Sequence, residues 1–244
     1  MLKKINEYIF RFGSKKEKEP ADAYDLWAPR YDDQPGNLML DLDEKIFSSF
    51  LGDIDVKNKA VVDVGCGTGR HWKAILQKAP GKLIGYDVSA GMLNELKKKF
   101  QQAETHLLNN DLLTGIANSS CDIIISTLTV AHIESIEDAF REWNRVLKTG
   151  GDVIITDYHP EILSKGGKRT FQQGNKTMIV QNFIHSLEML RVIAKQLRWD
   201  ELGFNEIKID DSMRSYYERQ NALAIFEKFK GIPVIYAIHF KKAG

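Results

Sequence analysis

Short apolar and β-branched runs alternate with amphipathic stretches along the chain from about residue 51 onwards. Such runs are typical of buried strands, and apolar residues spaced at helical intervals indicate the helices between them. The list of predicted strands is 59–64, 82–86, 105–108, 121–126 and 152–157, with helices over 70–78, 90–100 and 136–147. This alternation predicts an α/β fold.

The repeat changes after residue 157. Residues 167–183 alternate around Gly174 and Asn175, a dipeptide suited to a tight turn, which predicts a β-hairpin insertion at about 165–184. The list of later predictions is a helix over 187–199, strands over 204–209 and 233–240, and a helical stretch near 221–230. We predict one domain overall, with an N-terminal helical cap at 1–50 and a core at 51–244. The hairpin could act as a lid.

Composition narrows the class of protein. The 244 residues are 43% hydrophobic and 27% charged, as in an ordinary globular domain. No segment reaches transmembrane length, and residues 1–12 lack the continuous apolar stretch of a secretory signal. The charged run at 15–19 is interpreted as a solvated linker. We therefore expect no stable membrane insertion.

The charge balance bears on possible partners. The chain has 34 basic and 33 acidic residues, a net charge of +1, so nucleic acid is disfavoured as a partner. Cys66 and Cys121 are too few for a secreted disulfide scaffold, which predicts a cytoplasmic protein. Cys66 is interpreted as a packing residue, because no base is visible beside it.

A glycine-rich segment, VVDVGCGTG at residues 61–69, joins a predicted strand to a helix. Glycines allow positive φ and close approach of a ligand, and the following helix N-terminus offers free N–H groups. Asp87 follows the second strand and can accept hydrogen bonds from both hydroxyls of a ribose. The pair predicts an adenosine ligand, which nicotinamide, flavin and S-adenosylmethionine folds share.

The spacing of the glycines separates these ligands. Dinucleotide folds favour G-x-G-x-x-G, whereas this loop has G-x-G-x-G preceded by Asp63, an acid that is unfavourable beside a pyrophosphate. An acid suits the ammonium and sulfonium groups of S-adenosylmethionine. The sequence also lacks the Tyr-x-x-x-Lys pair of short-chain oxidoreductases. S-adenosylmethionine is therefore favoured.

Over roughly residues 24–157 the chain resembles the class I S-adenosylmethionine-dependent methyltransferases, especially the small-molecule group that includes the ubiquinone and menaquinone biosynthesis enzymes. DVGCGTG at 63–69 is similar to the first motif of that family, Asp87 to its ribose-binding acid, and residues 110–112 to its adenine segment. The resemblance implies a Rossmann-like seven-stranded sheet of order 3-2-1-4-5-7-6. Strand 7 would be antiparallel, and helices would cover both faces.

The resemblance also implies roles for individual residues. Asp111 would accept from the adenine amino group, Val88 and Met92 would wall the ring, and Thr127 would lie beside the methionyl portion. Tyr31 belongs to an aromatic segment that closes over the cofactor in many of these enzymes. The predicted cofactor contacts are Tyr31, Asp63, Gly65, Cys66, Gly67, Thr68, Gly69, Asp87, Val88, Met92, Asn110, Asp111, Leu112 and Thr127.

Three histidines are candidate general bases. His132, His159 and His185 follow the fourth strand, the fifth strand and the hairpin, and imidazole titrates near neutrality. Each is also explained as a hydrogen-bonded loop or core residue.

Candidate acceptor contacts are Tyr158, Asn182 and Arg214. They come from the C-terminal rim of the sheet or from the variable region, where open α/β folds place ligands. No convincing carboxylate cluster indicates a metal, so we predict a site without one.

The expected activity is transfer of a methyl group from S-adenosylmethionine to a small-molecule acceptor by in-line displacement, with S-adenosylhomocysteine as product. Oxygen, nitrogen and carbon acceptors all remain open. The alternatives are an inactive cofactor-binding partner subunit and an NAD(P)-dependent oxidoreductase. A nucleic-acid methyltransferase is disfavoured, because residues 127–130 replace its expected Pro-Pro-aromatic segment.

Overall fold

A computed structural model describes residues 17–34, 36–109, 113–174 and 176–244. A seven-stranded sheet has the order β3-β2-β1-β4-β5-β9-β8, and β6 and β7 form a separate two-stranded ribbon. The strands are β1 Ala60–Val64, β2 Lys82–Asp87, β3 Glu104–Leu107, β4 Cys121–Thr127, β5 Leu147–Tyr158, β6 Thr170–Gln173, β7 Lys176–Ile179, β8 Trp199–Lys208 and β9 Pro233–Lys242.

The first five strands pair in parallel, and β9 runs antiparallel to both β5 and β8. Numbered within the sheet alone, the order is 3-2-1-4-5-7-6 with an antiparallel seventh strand, which confirms the predicted fold. The helices are α1 Pro20–Trp27, α2 Leu38–Gly52, α3 Trp72–Gln77, α4 Ala90–Lys99, α5 Ile136–Val146, α6 Pro160–Ser164, α7 Leu187–Gln196, α8 Arg214–Arg219 and α9 Leu223–Phe229.

Alternate residues of the central strands face opposite helical layers. Val62 and Ile124 pack with residues of α5 and α7. Val61 and Ile123 belong to the core that includes residues of α2, α3 and α4. Because successive side chains of a strand point to opposite faces, a strand buried on both sides is apolar at nearly every position. This explains the unbroken apolar runs in the sequence.

The boundary between α7 and β8 differs from the prediction. The helix ends at Gln196 rather than 199, and the strand begins at Trp199 rather than 204. Arg198 has a φ of 62°, a conformation that ends a right-handed helix. The ring of Trp199 is buried with its centroid 5.3 Å from that of Phe140. Tertiary packing therefore overrides the helical periodicity at this boundary. A further helix, α8, lies outside the predicted helical stretch 221–230.

Two segments that are distant in sequence join above the carboxyl edge of the sheet. The Lys18 amide donates to the Ile179 carbonyl at 3.0 Å, and the Gln181 amide donates to the Lys18 carbonyl at 2.9 Å. The rings of Trp27 and Phe171 stack at 4.7 Å. We call residues 20–31, which comprise α1 and the turn after it, together with the β6-β7 ribbon the roof.

A buried polar network ties α2 to the core. The Asp43 carboxylate accepts from Arg70 and from the Thr156 hydroxyl, and lies 2.8 Å from Nε2 of His71. Burial alone would raise the pKa of Asp43, but the hydrogen bond and charge of His71, with the charge of Arg70, lower it to about 2. Asp43 is therefore ionised throughout the neutral range.

None of the helices in the described ranges combines the length and apolar composition needed to span a bilayer.

Candidate active site

A cavity of about 620 Å³ opens where β1, β2 and β4 end. This volume lies within the range of roughly 300–1,000 Å³ typical of small-molecule sites. Its walls come from the loops after these strands, from the roof and from α5. The site therefore lies at the edge of the sheet where open α/β folds bind ligands.

Two glycines of the loop after β1 differ in what surrounds them. Gly65 has a φ of 74° and Gly67 a φ of 52°, and both line the cavity. A Cβ built on Gly65 would lie 2.0 Å from Oγ1 of Thr129, whereas one built on Gly67 would meet nothing within 4 Å. Packing therefore requires a glycine at 65, and Gly67 leaves open space for a ligand.

Asp87, at the end of β2, is the acid of this cavity best placed for hydroxyl recognition. It is 7% exposed, and its two oxygens accept from the amides of Gly67 and Ser89, each at 2.8 Å. Burial raises its pKa to about 6, although these amides oppose the shift. A carboxylate has about four acceptor positions, so about two remain. They fit the paired hydroxyls of a ribose.

The predicted cofactor contacts that the structure describes divide into residues that line the cavity and residues that do not. Asn110, Asp111 and Leu112 lie outside the described residues. Among the others, those that line the cavity are Tyr31, Gly65, Gly67, Asp87, Val88, Met92 and Thr127, whereas Asp63, Cys66, Thr68 and Gly69 are absent from its described lining.

The predicted contacts that do not line the cavity support the glycine loop from the side away from the cavity. Asp63 accepts from the indole Nε1 of Trp72 at 2.8 Å, and burial raises its pKa to about 6. The hydroxyl of Thr68 donates to Asp32 at 2.7 Å. Burial raises the pKa of the Cys66 thiol, which agrees with a packing residue rather than a nucleophile. These side chains position the backbone that faces the cavity.

His132 lies in the cavity wall with both ring nitrogens engaged. Nε2 is 2.8 Å from the hydroxyl oxygen of Tyr24, and Nδ1 is 2.8 Å from the carbonyl oxygen of Gln181. Because a carbonyl only accepts, Nδ1 carries the proton and Tyr24 donates to Nε2. Burial and the charge of Arg169 lower the pKa of His132 to about 3, so the ring is neutral at pH 7.

The other two histidines do not line this cavity. Nδ1 of His159 accepts from the Glu161 amide at 3.1 Å and caps α6, and burial lowers its pKa. Nε2 of His185 lies 2.8 Å from the carbonyl oxygen of Ile133 and donates to it. The structure gives both rings a role in holding the backbone.

The three candidate acceptor contacts are also absent from the described lining of the cavity. The ring of Tyr158 lies 5.6 Å from the guanidinium of Arg169 and stands behind it. Asn182 donates to a nearby backbone carbonyl at 2.8 Å. Arg214 is exposed and pairs with glutamates of α8 and α9. The structure does not bring these three residues together.

Tyr24 and Arg169 are among the cavity residues that were not predicted from the sequence. Tyr24 was only part of the aromatic segment for which Tyr31 was chosen, and Arg169 was not singled out at all. Both line the cavity, and the guanidinium of Arg169 lies 5.4 Å from the ring of Tyr24. A lone arginine in a polar stretch carries no sequence signal of burial.

Residues 62–155 match the family model described as a methyltransferase domain. The bifunctional biotin biosynthesis protein BioHC of Teredinibacter turnerae is 28% identical over 75% of this chain and 34% of its own length. Demethylmenaquinone methyltransferase of Bacteroides fragilis is 28% identical over 59% of this chain and 61% of its own length. The chain thus spans between about a third and three fifths of these relatives.

Solved structures show the same fold. An S-adenosylmethionine-dependent methyltransferase of Mesorhizobium loti has a TM-score of 0.62 at 14% identity, over 82% of this chain and 97% of that one. Geranyl diphosphate C-methyltransferase of Streptomyces coelicolor, solved with S-adenosylhomocysteine, has a TM-score of 0.61 at 16% identity, over 82% and 81%. Residues 62–155 thus match a methyltransferase domain, and the fold is that of class I S-adenosylmethionine-dependent methyltransferases.

Proposed function

We propose that this protein transfers the methyl group of S-adenosylmethionine to a small-molecule acceptor by in-line displacement. The observation that carries the proposal is the shared cavity, where Asp87 and the open face of Gly67 meet aromatic residues of the roof. One wall suits an adenosine-bearing cofactor, and the opposite wall has room for a second small ligand.

On the wall that suits the cofactor, different residues would contact the ribose and the base. The free acceptor positions of Asp87 would hold the ribose hydroxyls, and Gly67 would let the backbone approach without a side chain between. Val88 and Met92 would flank the base. When bound, S-adenosylmethionine supplies an electrophilic methyl group on its sulfonium. Thr127 and Tyr31 also line the cavity.

The roof supports catalysis by orientation rather than by a strong base. A general base works best when its pKa is near the operating pH, and His132 has a pKa of about 3. Its accepting nitrogen is also occupied by Tyr24. Holding the acceptor in line and excluding water are therefore the main contributions available to these residues.

A small acceptor is also supported by relatives. Demethylmenaquinone methyltransferase and malonyl-[acyl-carrier protein] O-methyltransferase of Priestia megaterium are named for low-molecular-mass or carrier-borne groups. The cavity has one arginine and no lysine in its described lining, which disfavours a nucleic-acid backbone. An inactive partner subunit would bind the cofactor without transfer, and an oxidoreductase would prefer NADH.

The first test is calorimetric titration with S-adenosylhomocysteine and, separately, with NADH. We expect S-adenosylhomocysteine to bind and NADH not to bind. Asp87→Ala should weaken binding at least about tenfold, since charged hydrogen bonds contribute about 1.5–3 kcal/mol each. Asp152→Asn, which changes a carboxylate at the start of the parallel part of β5, is the matched control and should bind normally. Preference for NADH would overturn the proposal.

The second test follows methyl transfer itself. The protein is incubated with S-adenosylmethionine labelled in its methyl group and with a cell extract, which is then separated into acid-soluble and acid-precipitable fractions. We expect label to enter the acid-soluble fraction, and Asp87→Ala to abolish this. Label confined to RNA or protein would contradict a small acceptor, and binding without any transfer would favour the inactive partner subunit.

A further inference from the structure

Arg169 is a buried cation in the wall of the cavity. It precedes β6, is 4% exposed, and lines the same cavity as the glycine loop. Its guanidinium donates to the Leu128 carbonyl and to the Tyr31 hydroxyl, each at 3.0 Å. These two bonds reach the loop after β4 and the roof, so the guanidinium is held from both sides.

Aromatic rings surround the same guanidinium. Its central carbon lies 5.4 Å from the ring centre of Tyr24, 5.9 Å from that of Trp27 and 5.6 Å from that of Tyr158. Such faces attract a cation through the quadrupole of the ring, more weakly than a carboxylate does. They orient the group without neutralising its charge.

No carboxylate of the described ranges forms an ion pair with Arg169; its hydrogen bonds go to Leu128 and Tyr31. The charge of Asp157 acts on Arg169 over a distance, but the Asp157 oxygens accept hydrogen bonds from the amides of Ala131 and Tyr158. Burial raises the pKa of Asp157 to about 6. A buried charge without a partner is costly. A guanidinium has five N–H donors, so donors remain for a ligand.

We propose that Arg169 binds a carboxylate carried by the methyl acceptor, an inference that rests on the proposed function. Arginine presents a planar fork that matches a carboxylate with two parallel hydrogen bonds. The surrounding aromatic rings suit an apolar body attached to that carboxylate.

The charges of the cavity favour a carboxylate over a phosphate. The charged groups in its described lining are Arg169 and the acids Glu19, Asp87 and Glu134, and His132 is neutral. One cation balances one negative charge. A phosphate monoester carries about −1.5 to −2 at pH 7 and would leave excess negative charge beside three acids.

The test compares two probes of nearly equal size, hexanoate and hexanamide, by ligand-observed NMR titration of the protein saturated with S-adenosylhomocysteine. We expect hexanoate to bind about tenfold more tightly, the ratio typical of one charged hydrogen bond. Arg169→Met should remove this difference, leaving the affinities for hexanamide and S-adenosylhomocysteine within about twofold of native. Arg191→Met removes a partly exposed arginine that faces Phe204 and pairs with Glu201, and serves as the control.

Three outcomes would overturn the assignment. The first is that native protein binds both probes equally, and the second is that inorganic phosphate displaces hexanoate more effectively than acetate does. The third is that Arg169→Met weakens all three ligands alike, which is the result of a purely structural role. If Arg169→Met fails to fold, Arg169→Lys replaces it and must lower the preference for hexanoate. Failure of native protein to bind S-adenosylhomocysteine refutes the proposed function instead. The preference for hexanoate over hexanamide is then measured in the absence of S-adenosylhomocysteine.

Discussion

Gly65 and Gly67 should respond differently to the same substitution. Both have positive φ, so alanine costs about 1–2 kcal/mol at either position. At Gly65 the new methyl would also overlap Thr129, and overpacking adds about 1–3 kcal/mol. We therefore expect Gly65→Ala to lower the free energy of unfolding by about 2–5 kcal/mol, and Gly67→Ala by about 1–2 kcal/mol.

The affinity for S-adenosylhomocysteine should respond in the opposite order, with the larger effect from Gly67→Ala. The methyl of Gly67→Ala would enter the open space beside Asp87, so S-adenosylhomocysteine should bind at least about tenfold more weakly to a protein that remains folded. In Gly65→Ala the damage should lie in folding, and Thr129→Gly should recover the part that comes from overlap.

Urea unfolding and calorimetric titration measure the two effects separately. The reasoning is refuted if both alanine variants lose the same stability, or if Gly67→Ala binds S-adenosylhomocysteine as tightly as native protein does. Failure of Thr129→Gly to restore any stability to Gly65→Ala would show that the overlap is relieved in some other way.

Two further predictions concern buried carboxylates. Because the pKa of Asp87 is raised to about 6, affinity for S-adenosylhomocysteine should be full above that pH and fall as the pH is lowered through it. Calorimetry between pH 5 and 8 checks this against Asp87→Asn, and a native profile as flat as that of the variant would contradict it. Asp43→Ala leaves Arg70 and His71 with only the exposed carboxylate of Glu44 as a shared acid, and should cost about 3–5 kcal/mol in urea unfolding. The contribution of Asp43 to the free energy of unfolding should persist down to about pH 4 and disappear as the pH falls towards 2. A loss below about 1 kcal/mol in Asp43→Ala would contradict the expected cost of that substitution.

Much of the sheet could be predicted from the sequence, because β1, β2, β4 and β5 are local apolar runs, each with a helix after it. The glycine loop and Asp87 also follow strand ends, and strand ends meet at one edge of a parallel sheet. The strand order required the family resemblance, since periodicity does not specify which strands are neighbours.

The role of Asp63 illustrates a limit of motif reasoning. It stands two residues before Gly65, but it lies on the face of β1 that meets Trp72, whereas Val64 lines the cavity. Successive residues of a strand point to opposite faces, so the alternation along β1 already contained this information. The charge argument did not use this alternation, and the contact between Asp63 and the cofactor stays a prediction.

The pairings of the roof could not be predicted, because they join distant positions. Tyr24 and His132 are 108 residues apart in sequence, and Tyr31 and Arg169 are 138 apart. Neither pair has a local pattern. The burial of Arg169 depends on rings that come together only in the folded protein.

The stacked pair of Trp27 and Phe171 has a consequence for transplanting specificity between relatives. Substitutions at residues in contact are not additive, so a chimera that receives only a foreign ribbon would meet an α1 shaped for a different partner. The backbone bridge through Lys18 carries the same coupling. Acceptor preference should therefore move between such proteins only when both segments are exchanged together.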